Sequence, residues 1–267
     1  MIPAATRYAR ASDLDEALEL LGEADAKAIA GGQSLIPVMK LRIARPSLVV
    51  DISRLELRGV AESDGALHIG ALTTWAELSA AEALRRPGLA AVSECASGIG
   101  DLQVRNLGTI GGSVVHCDPA SDMPAVLIAL GARLRLRSHG REREVSVAEF
   151  LVGPFLTALE QAELVTEVVV PIPATGSGSA YVNVEHPASG FALVGAAALA
   201  GPAGETVALT GVGATPFLLA AGDPRAAIEE AEIYGDRFAS EEYRRELAAT
   251  LAERALTRAR ERAKEDR

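Results

Sequence analysis

The stretch that most constrains this chain belongs to no regular element. Pro171-Ile-Pro-Ala-Thr-Gly-Ser-Gly-Ser179 crowds prolines, glycines and hydroxyl residues into one short run. Proline removes a backbone donor and fixes φ, and glycine carries the largest chain entropy, so neither a helix nor a strand ladder should run through it. The spacing predicts a boundary here, with one domain over 1–173 and a second over 179–267. The first part reads as two subdomains, about 1–53 and 55–173.

Periodicity fills in the parts. Leu14, Ala17, Leu18 and Leu21 share a helical face. Ala26–Ala30 and Leu48–Ile52 read as short buried strands. Leu67–Ala71 is a strand, and Thr74 with Glu77 has capping-box spacing for a helix continuing through Leu84. A second helix, Leu89–Ser97, leads into a Gly-rich stretch from Gly98 to Ser113. Met123–Leu130 reads as a helix, Arg133–Arg137 as a strand with one wet face, and Leu164–Val170 as a β-branched strand that Pro171 ends. Beyond the boundary, Ala180–Val184, Phe191–Ala200 and Thr206–Val212 suit an antiparallel meander. Ser240 caps a final helix with Tyr243, Leu247, Leu251 and Ala255 on one face, and the charged tail after Arg258 is expected to fray.

Composition narrows the function. Of the 267 residues, 26 are basic and 36 acidic, a net charge of -10, which disfavours a nucleic-acid partner. The apolar runs Val165–Val170 and Ala192–Ala200 fall short of the roughly 20 residues of a helical crossing, so an integral membrane protein is not expected. The N-terminus has no charged start followed by an apolar core, which predicts no signal peptide and a cytoplasmic location. The cysteines, Cys95 and Cys117, are too few for a disulfide framework or for the four ligands of an iron–sulfur cluster.

Two Gly-Gly segments carry the chemistry. Ala30-Gly31-Gly32-Gln33-Ser34-Leu35 follows a strand, and Asn106-Leu107-Gly108-Thr109-Ile110-Gly111-Gly112-Ser113 lies farther on. Adjacent glycines admit positive φ and close backbone approach, and successive N–H groups form anion nests. Two nests with the hydroxyls of Ser34, Thr109 and Ser113 could hold the two phosphates of a dinucleotide; equally, they could be tight turns between strands. Neither a Gly-x-Gly-x-x-Gly opening a helix nor a P-loop is present, which disfavours Rossmann dehydrogenases and P-loop hydrolases. Three consecutive residues on a strand point to alternating faces, so His116-Cys117-Asp118 is not read as a metal site.

The ordered series Ala30–Leu35, Val49-Val-Asp51, Ile69–Thr74, Gly100–Ser113 and Asp118–Ala125 resembles the FAD-binding medium subunits of molybdenum hydroxylases. Bacterial carbon monoxide dehydrogenase and the flavin domain of xanthine dehydrogenase are members. The resemblance extends through Glu163-Leu164-Val165 to Glu241–Leu247 and covers nearly the whole chain. It implies an α+β fold: a two-part α/β FAD-binding domain of the vanillyl-alcohol-oxidase/PCMH type, then a small antiparallel-sheet-plus-helix domain. It also implies residue roles. Ala30, Gly31, Gly32, Gln33, Ser34 and Leu35 match the first diphosphate loop, with Lys27 and Ile29 just before it. Gly108, Thr109, Gly112 and Ser113 match the second FAD loop. Val115 and His116 match positions beside the flavin nucleotide, Ile99 and Gly100 positions near the ring, and Leu164 and Val165 further contacts. Asp122 matches an acidic cofactor partner, or else caps the helix at Met123. Arg105 either contacts a phosphate or partner, or forms a structural salt bridge.

This chain departs from the family pattern at three places. Tyr181-Val182-Asn183 replaces a common Tyr-x-Lys, His186-Pro187-Ala-Ser189-Gly190-Phe191 replaces a common Arg-x-Gly-Asp-Phe/Tyr, and Trp75 stands where His is common. These changes bear on how the flavin ring is flanked. The implied function is electron transfer. Such a subunit takes electrons from the 2Fe-2S clusters of a small subunit, which a molybdenum-cofactor large subunit supplies, and passes them to quinone, NAD or oxygen. The implied assembly is a heterotrimer or a dimer of heterotrimers. The alternative is a stand-alone FAD-dependent oxidase or reductase, which would need an acid–base group near the flavin.

Overall fold

The computed structural model describes residues 2–266. The chain opens with β1 (Arg7–Arg10), α1 (Leu14–Leu21), β2 (Ala26–Ile29), α2 (Leu35–Lys40) and β3 (Leu48–Asp51). Asp13 caps α1 by accepting from the Glu16 N–H, and the helix buries Ala17, Leu18 and Leu21. The strands form a parallel sheet, β1-β3-β2, whose central strand is buried along its length. A buried strand with no wet face needs an unbroken apolar run, and Leu48-Val-Val provides it.

The middle of the chain is built on the antiparallel sheet β4-β5-β10-β6-β7. Its elements are β4 (Val60–Ser63), β5 (Ala66–Gly70), α3 (Trp75–Ala80), α4 (Ala90–Gly98), α5 (Leu102–Leu107), α6 (Ile110–His116), α7 (Asp122–Ala129), β6 (Arg133–Ser138), β7 (Arg141–Ser146), α8 (Val147–Phe150), the hairpin strands β8 (Leu151–Gly153) and β9 (Leu156–Thr157), and β10 (Leu164–Pro171). Leu134 and Leu136 point inward from β6 while Arg133 and Arg137 stay wet, the alternation their sequence calls for. Thr74 and Glu77 form the expected capping box, but α3 stops at Ala80 rather than Leu84. Ala81 is extended, and a 3-10 turn over Glu82–Arg85 leads to Pro87. The Gly-rich stretch is not a loop either, since α5 and most of α6 lie within it.

The last part is the meander β11 (Gly178–Glu185), β12 (Ala192–Gly201), β13 (Gly204–Thr210) and β14 (Phe217–Leu218), followed by α9 (Pro224–Glu230) and α10 (Glu241–Glu265). Alanines along β12 face alanines along α10, so helix and sheet pack closely. A Cβ on Gly178 would lie 2.3 Å from the Ala259 carbonyl oxygen. The tail therefore does not fray after Arg258: Ala259 and Ala263 are buried, and Arg262 pairs with Glu94 on α4.

Three hydrophobic clusters accompany the three parts, and two of them recruit residues across the chain. Leu164 of β10 sits in the cluster under the parallel sheet. Tyr181, Ala197 and Ala208 of the meander complete the central cluster around Phe150 and Met123. No helix among the described residues is long and apolar enough to cross a membrane.

Candidate functional site

The two glycine segments, far apart in sequence, touch. A Cβ on Gly31 would lie 1.7 Å from the Leu107 carbonyl oxygen and 3.0 Å from the Gly108 nitrogen, so only a residue without a side chain lets them meet. Gly32 has φ +71, the left-handed conformation a turn requires, and it bends the chain out of β2 toward α2. Among the described residues the backbone N–H groups of Gly31, Gly32, Gln33 and Ser34 find no acceptor, while the Gln33 amide bonds back to the Gly31 carbonyl at 3.0 Å. A run of N–H groups left without partners is a ready anion site. Ser34 occupies the cap position of α2 without making a side-chain cap bond, so its hydroxyl is also uncommitted.

The second segment differs from the expected pair of positive-φ nests. Thr109 caps α6 by accepting from the Gly112 N–H at 3.2 Å, and Gly111 and Gly112 lie in the first helical turn without positive φ. Their lack of side chains serves different ends. The Gly111 N–H donates to the Ala71 carbonyl at 2.9 Å, and a Cβ there would come within 2.6 Å of the Ala71 Cβ. A Cβ on Gly112 would meet only the Thr109 hydroxyl, at 2.9 Å, and otherwise open space.

Downstream, the Ser113 and Ser121 hydroxyls are 2.8 Å apart. His116 packs against the Phe155 ring, with centroids 5.2 Å apart, and burial lowers its pKa. Val115 lies against the central core. Asp122 does not cap α7. Ser121 holds that position, and Asp122 turns inward to accept from the Tyr181 hydroxyl and, at 3.0 Å, from the Asn183 amide. Burial raises its pKa to about 6 against those two hydrogen bonds, with the charge of Glu185 adding to the rise. Thr210 and the Gly211 N–H hold the Pro119 carbonyl, at 3.0 and 2.9 Å, which fixes the turn before α7.

Other expected positions lie apart. Lys27 projects into solvent from β2. Ile29 lies beneath the first turn, its side chain 3.2 Å from where a Cβ on Gly32 would be. Leu35 opens α2, and Ala30 packs on the first cluster together with Leu164, while Val165 belongs to the central one. Ile99 and Gly100 are tied to α5 by Arg105, which donates from Nη1 to both carbonyls and clamps the loop; among the described residues it forms no salt bridge. Residue-by-residue reading missed Tyr181 as the partner of Asp122. It also missed the buried Asp51 at the end of β3, which Tyr8, Arg10 and the Ser53 N–H hold. A buried strand that ends on a carboxylate was the available signal for Asp51. Nothing local announces the Tyr181 contact, which depends on docking of the meander.

Residues 4–173 match the family described as the FAD binding domain in molybdopterin dehydrogenase. The chain belongs to that family. It is 35% identical over 283 residues to the carbon monoxide dehydrogenase medium chain of Hydrogenophaga pseudoflava, covering 97% of this chain and 98% of that one. It is 41% identical over 202 residues to subunit alpha of the 6-hydroxypseudooxynicotine dehydrogenase complex of Paenarthrobacter nicotinovorans, covering 74% and 68%. The Cu,Mo-CO dehydrogenase structure superposes with a TM-score of 0.91 at 32% identity, covering 98% of this chain and 100% of that one. The quinoline 2-oxidoreductase of Pseudomonas putida 86 superposes with a TM-score of 0.89 at 29% identity, covering 98% and 99%. This is therefore an FAD-binding medium subunit of the molybdenum hydroxylase family, an oxidoreductase component with the expected α+β fold. The glycine segments suit that cofactor: unpaired N–H groups from Gly31 to Ser34 offer donors to a diphosphate, and the open face at Gly112 leaves room for one.

Proposed function

We propose that this chain holds FAD between its two glycine segments and passes electrons through it between a partner subunit and an external acceptor. The observation that carries this reading is the contact of Gly31 with Leu107 and Gly108, which brings the row of free N–H groups of the first glycine segment against the start of the second. Bound FAD supplies the redox chemistry, and the protein supplies binding, orientation and electrostatics.

In this reading Gly31, Gly32, Gln33 and Ser34 donate to one side of the diphosphate. Gly108, Thr109, Gly112 and Ser113 line the other. Ala30 and Leu35 complete the first diphosphate loop, with Lys27 and Ile29 just before it; Val115 and His116 lie beside the flavin nucleotide, Ile99 and Gly100 near the ring, and Leu164 and Val165 make further contacts with the cofactor. Asp122, held by Tyr181 and Asn183, accepts a hydrogen bond from it. Residues 1–173 form the FAD-binding domain, in subdomains of about 1–53 and 55–173, and residues 179–267 form a C-terminal domain that closes on it through Tyr181. The electrons come from 2Fe-2S clusters of a small subunit and ultimately from a molybdenum-cofactor large subunit, in a heterotrimer or its dimer. Relatives named as the medium chain or a subunit of a dehydrogenase complex support that assembly. The buried, unpaired Cys95 and Cys117 are compatible with a cytoplasmic setting.

Acid precipitation of the purified chain tests the cofactor reading. All yellow colour should leave the protein, as FAD, at about one per chain. Flavin retained in the pellet, or FMN in the supernatant, would count against it.

A further inference from the structure

Trp75, the single tryptophan of the chain, opens α3 and is 3% exposed. Its ring packs in the central core. A buried indole N–H ordinarily finds an acceptor, yet among the described residues this one makes no hydrogen bond. Nor is it sealed away: among the described residues, the polar side-chain atoms that are both unpaired and cut off from solvent are His68 Nε2 and Arg244 Nε. The slight exposure of Trp75 therefore reaches its nitrogen. That nitrogen lies 2.8 Å from where a Cβ on Gly108 would be, and the Gly108 nitrogen in turn lies 3.0 Å from the corresponding point on Gly31. The Trp75 backbone N–H also donates to the Gly108 carbonyl at 3.1 Å, which ties the first residue of α3 to the second segment. An unpaired donor thus stands where the two glycine segments meet.

We propose that the Trp75 indole N–H is a further cofactor-binding group, donating a hydrogen bond to a diphosphate oxygen. The inference rests on the FAD reading above and adds a side-chain donor to a site otherwise built from backbone N–H groups and hydroxyls. Loss of one hydrogen bond to a charged acceptor weakens binding by roughly tenfold or more.

The flavin-free full chain is titrated with FAD and with ADP, which carries the diphosphate without the flavin. Calorimetry gives affinities, and emission of the lone tryptophan reports on its surroundings. ADP absorbs nothing that could quench indole emission at a distance, so a shift in emission on ADP binding signals contact. The expected result is a shifted emission with ADP, and a Trp75→Phe chain that binds FAD and ADP each about tenfold more weakly. Should Trp75→Phe fail to fold, as thermal melting would reveal, the emission change in the unaltered chain still decides. FAD binding with no ADP-induced emission change, or equal affinities in Trp75→Phe, overturns this proposal and leaves the FAD reading standing. An unaltered chain that binds no FAD overturns both.

Discussion

Gly31 and Gly112 both sit in glycine pairs, yet an added methyl group meets different surroundings at each. At Gly31 it would strike the Leu107 carbonyl, which backbone must move to relieve; at Gly112 it would face the Thr109 hydroxyl and open space. Gly31→Ala is expected to cost about 1–3 kcal/mol of stability as the segments are forced apart. Gly112→Val is expected to lose FAD while costing the apoprotein about 1 kcal/mol, because position 112 is ordinary helix and only the capping Thr109 hydroxyl must shift. Thermal melts and flavin content measured together separate the two outcomes; equal melting losses would mean that Gly112 is a packing glycine as well. Asp122 provides a pH test. Its folded pKa of about 6 lies above the ordinary value of about 3.9. Below the lower value both folded and unfolded chains are protonated there, and the group contributes nothing. Above the upper value both are ionised, and the folded chain bears the full cost of the buried charge. Asp122 therefore removes stability as pH rises from about 4 to about 6. Asp122→Asn should gain up to about 3 kcal/mol over the parent near pH 7.5 and almost nothing near pH 4. Urea melts at both pH values check this. A loss near pH 7.5 would show that the hydrogen bonds from Tyr181 and Asn183 outweigh the burial.

Among the elements, α10 carries the clearest lesson. Its start was legible from Ser240, which accepts from the Tyr243 N–H. Its end was not, because charged residues after Arg258 read as a solvated tail. What holds it is one buried alanine per turn, Ala259 then Ala263, set against Gly178, together with Arg262 bonding Glu94 and the Ser179 carbonyl and Asp266 accepting from the Gly176 N–H. Ending the chain after Arg258 is expected to cost several kcal/mol, since it exposes Gly178 and leaves Glu94 and the Ser179 carbonyl without their shared donor. A melting temperature unchanged by that truncation would refute the tether. Likewise α6 escaped detection because glycines are poor helix formers, and tertiary contact with Ala71 overrides that propensity.

At the scale of the whole molecule, the parts share their cores. Leu164 serves the first cluster from the central sheet, and Tyr181 serves the central cluster from the meander. The cofactor reading predicts that the FAD-loaded chain alone oxidises no substrate of the assembled enzyme. Mixed with its small and large partner subunits, it should show substrate-dependent bleaching of the flavin band. Turnover by the isolated chain, free of molybdenum and iron, would promote the stand-alone flavoenzyme instead.

By itself the sequence determined the family, the α+β class, the main buried strands, the helices that start at Thr74 and Ser240, and the residues of both glycine segments. These rest on local periodicity, cap chemistry and ordered motifs, all of which are written along the chain. Only the tertiary structure decided that Gly31 abuts Leu107, that Gly111 serves packing while Gly112 faces outward, that Asp122 answers to Tyr181, and that Trp75 keeps a free N–H at the junction. Each of these is a contact between residues distant along the chain. Packing fixes such contacts through the shapes of both partners at once, and no local pattern in either segment encodes the other.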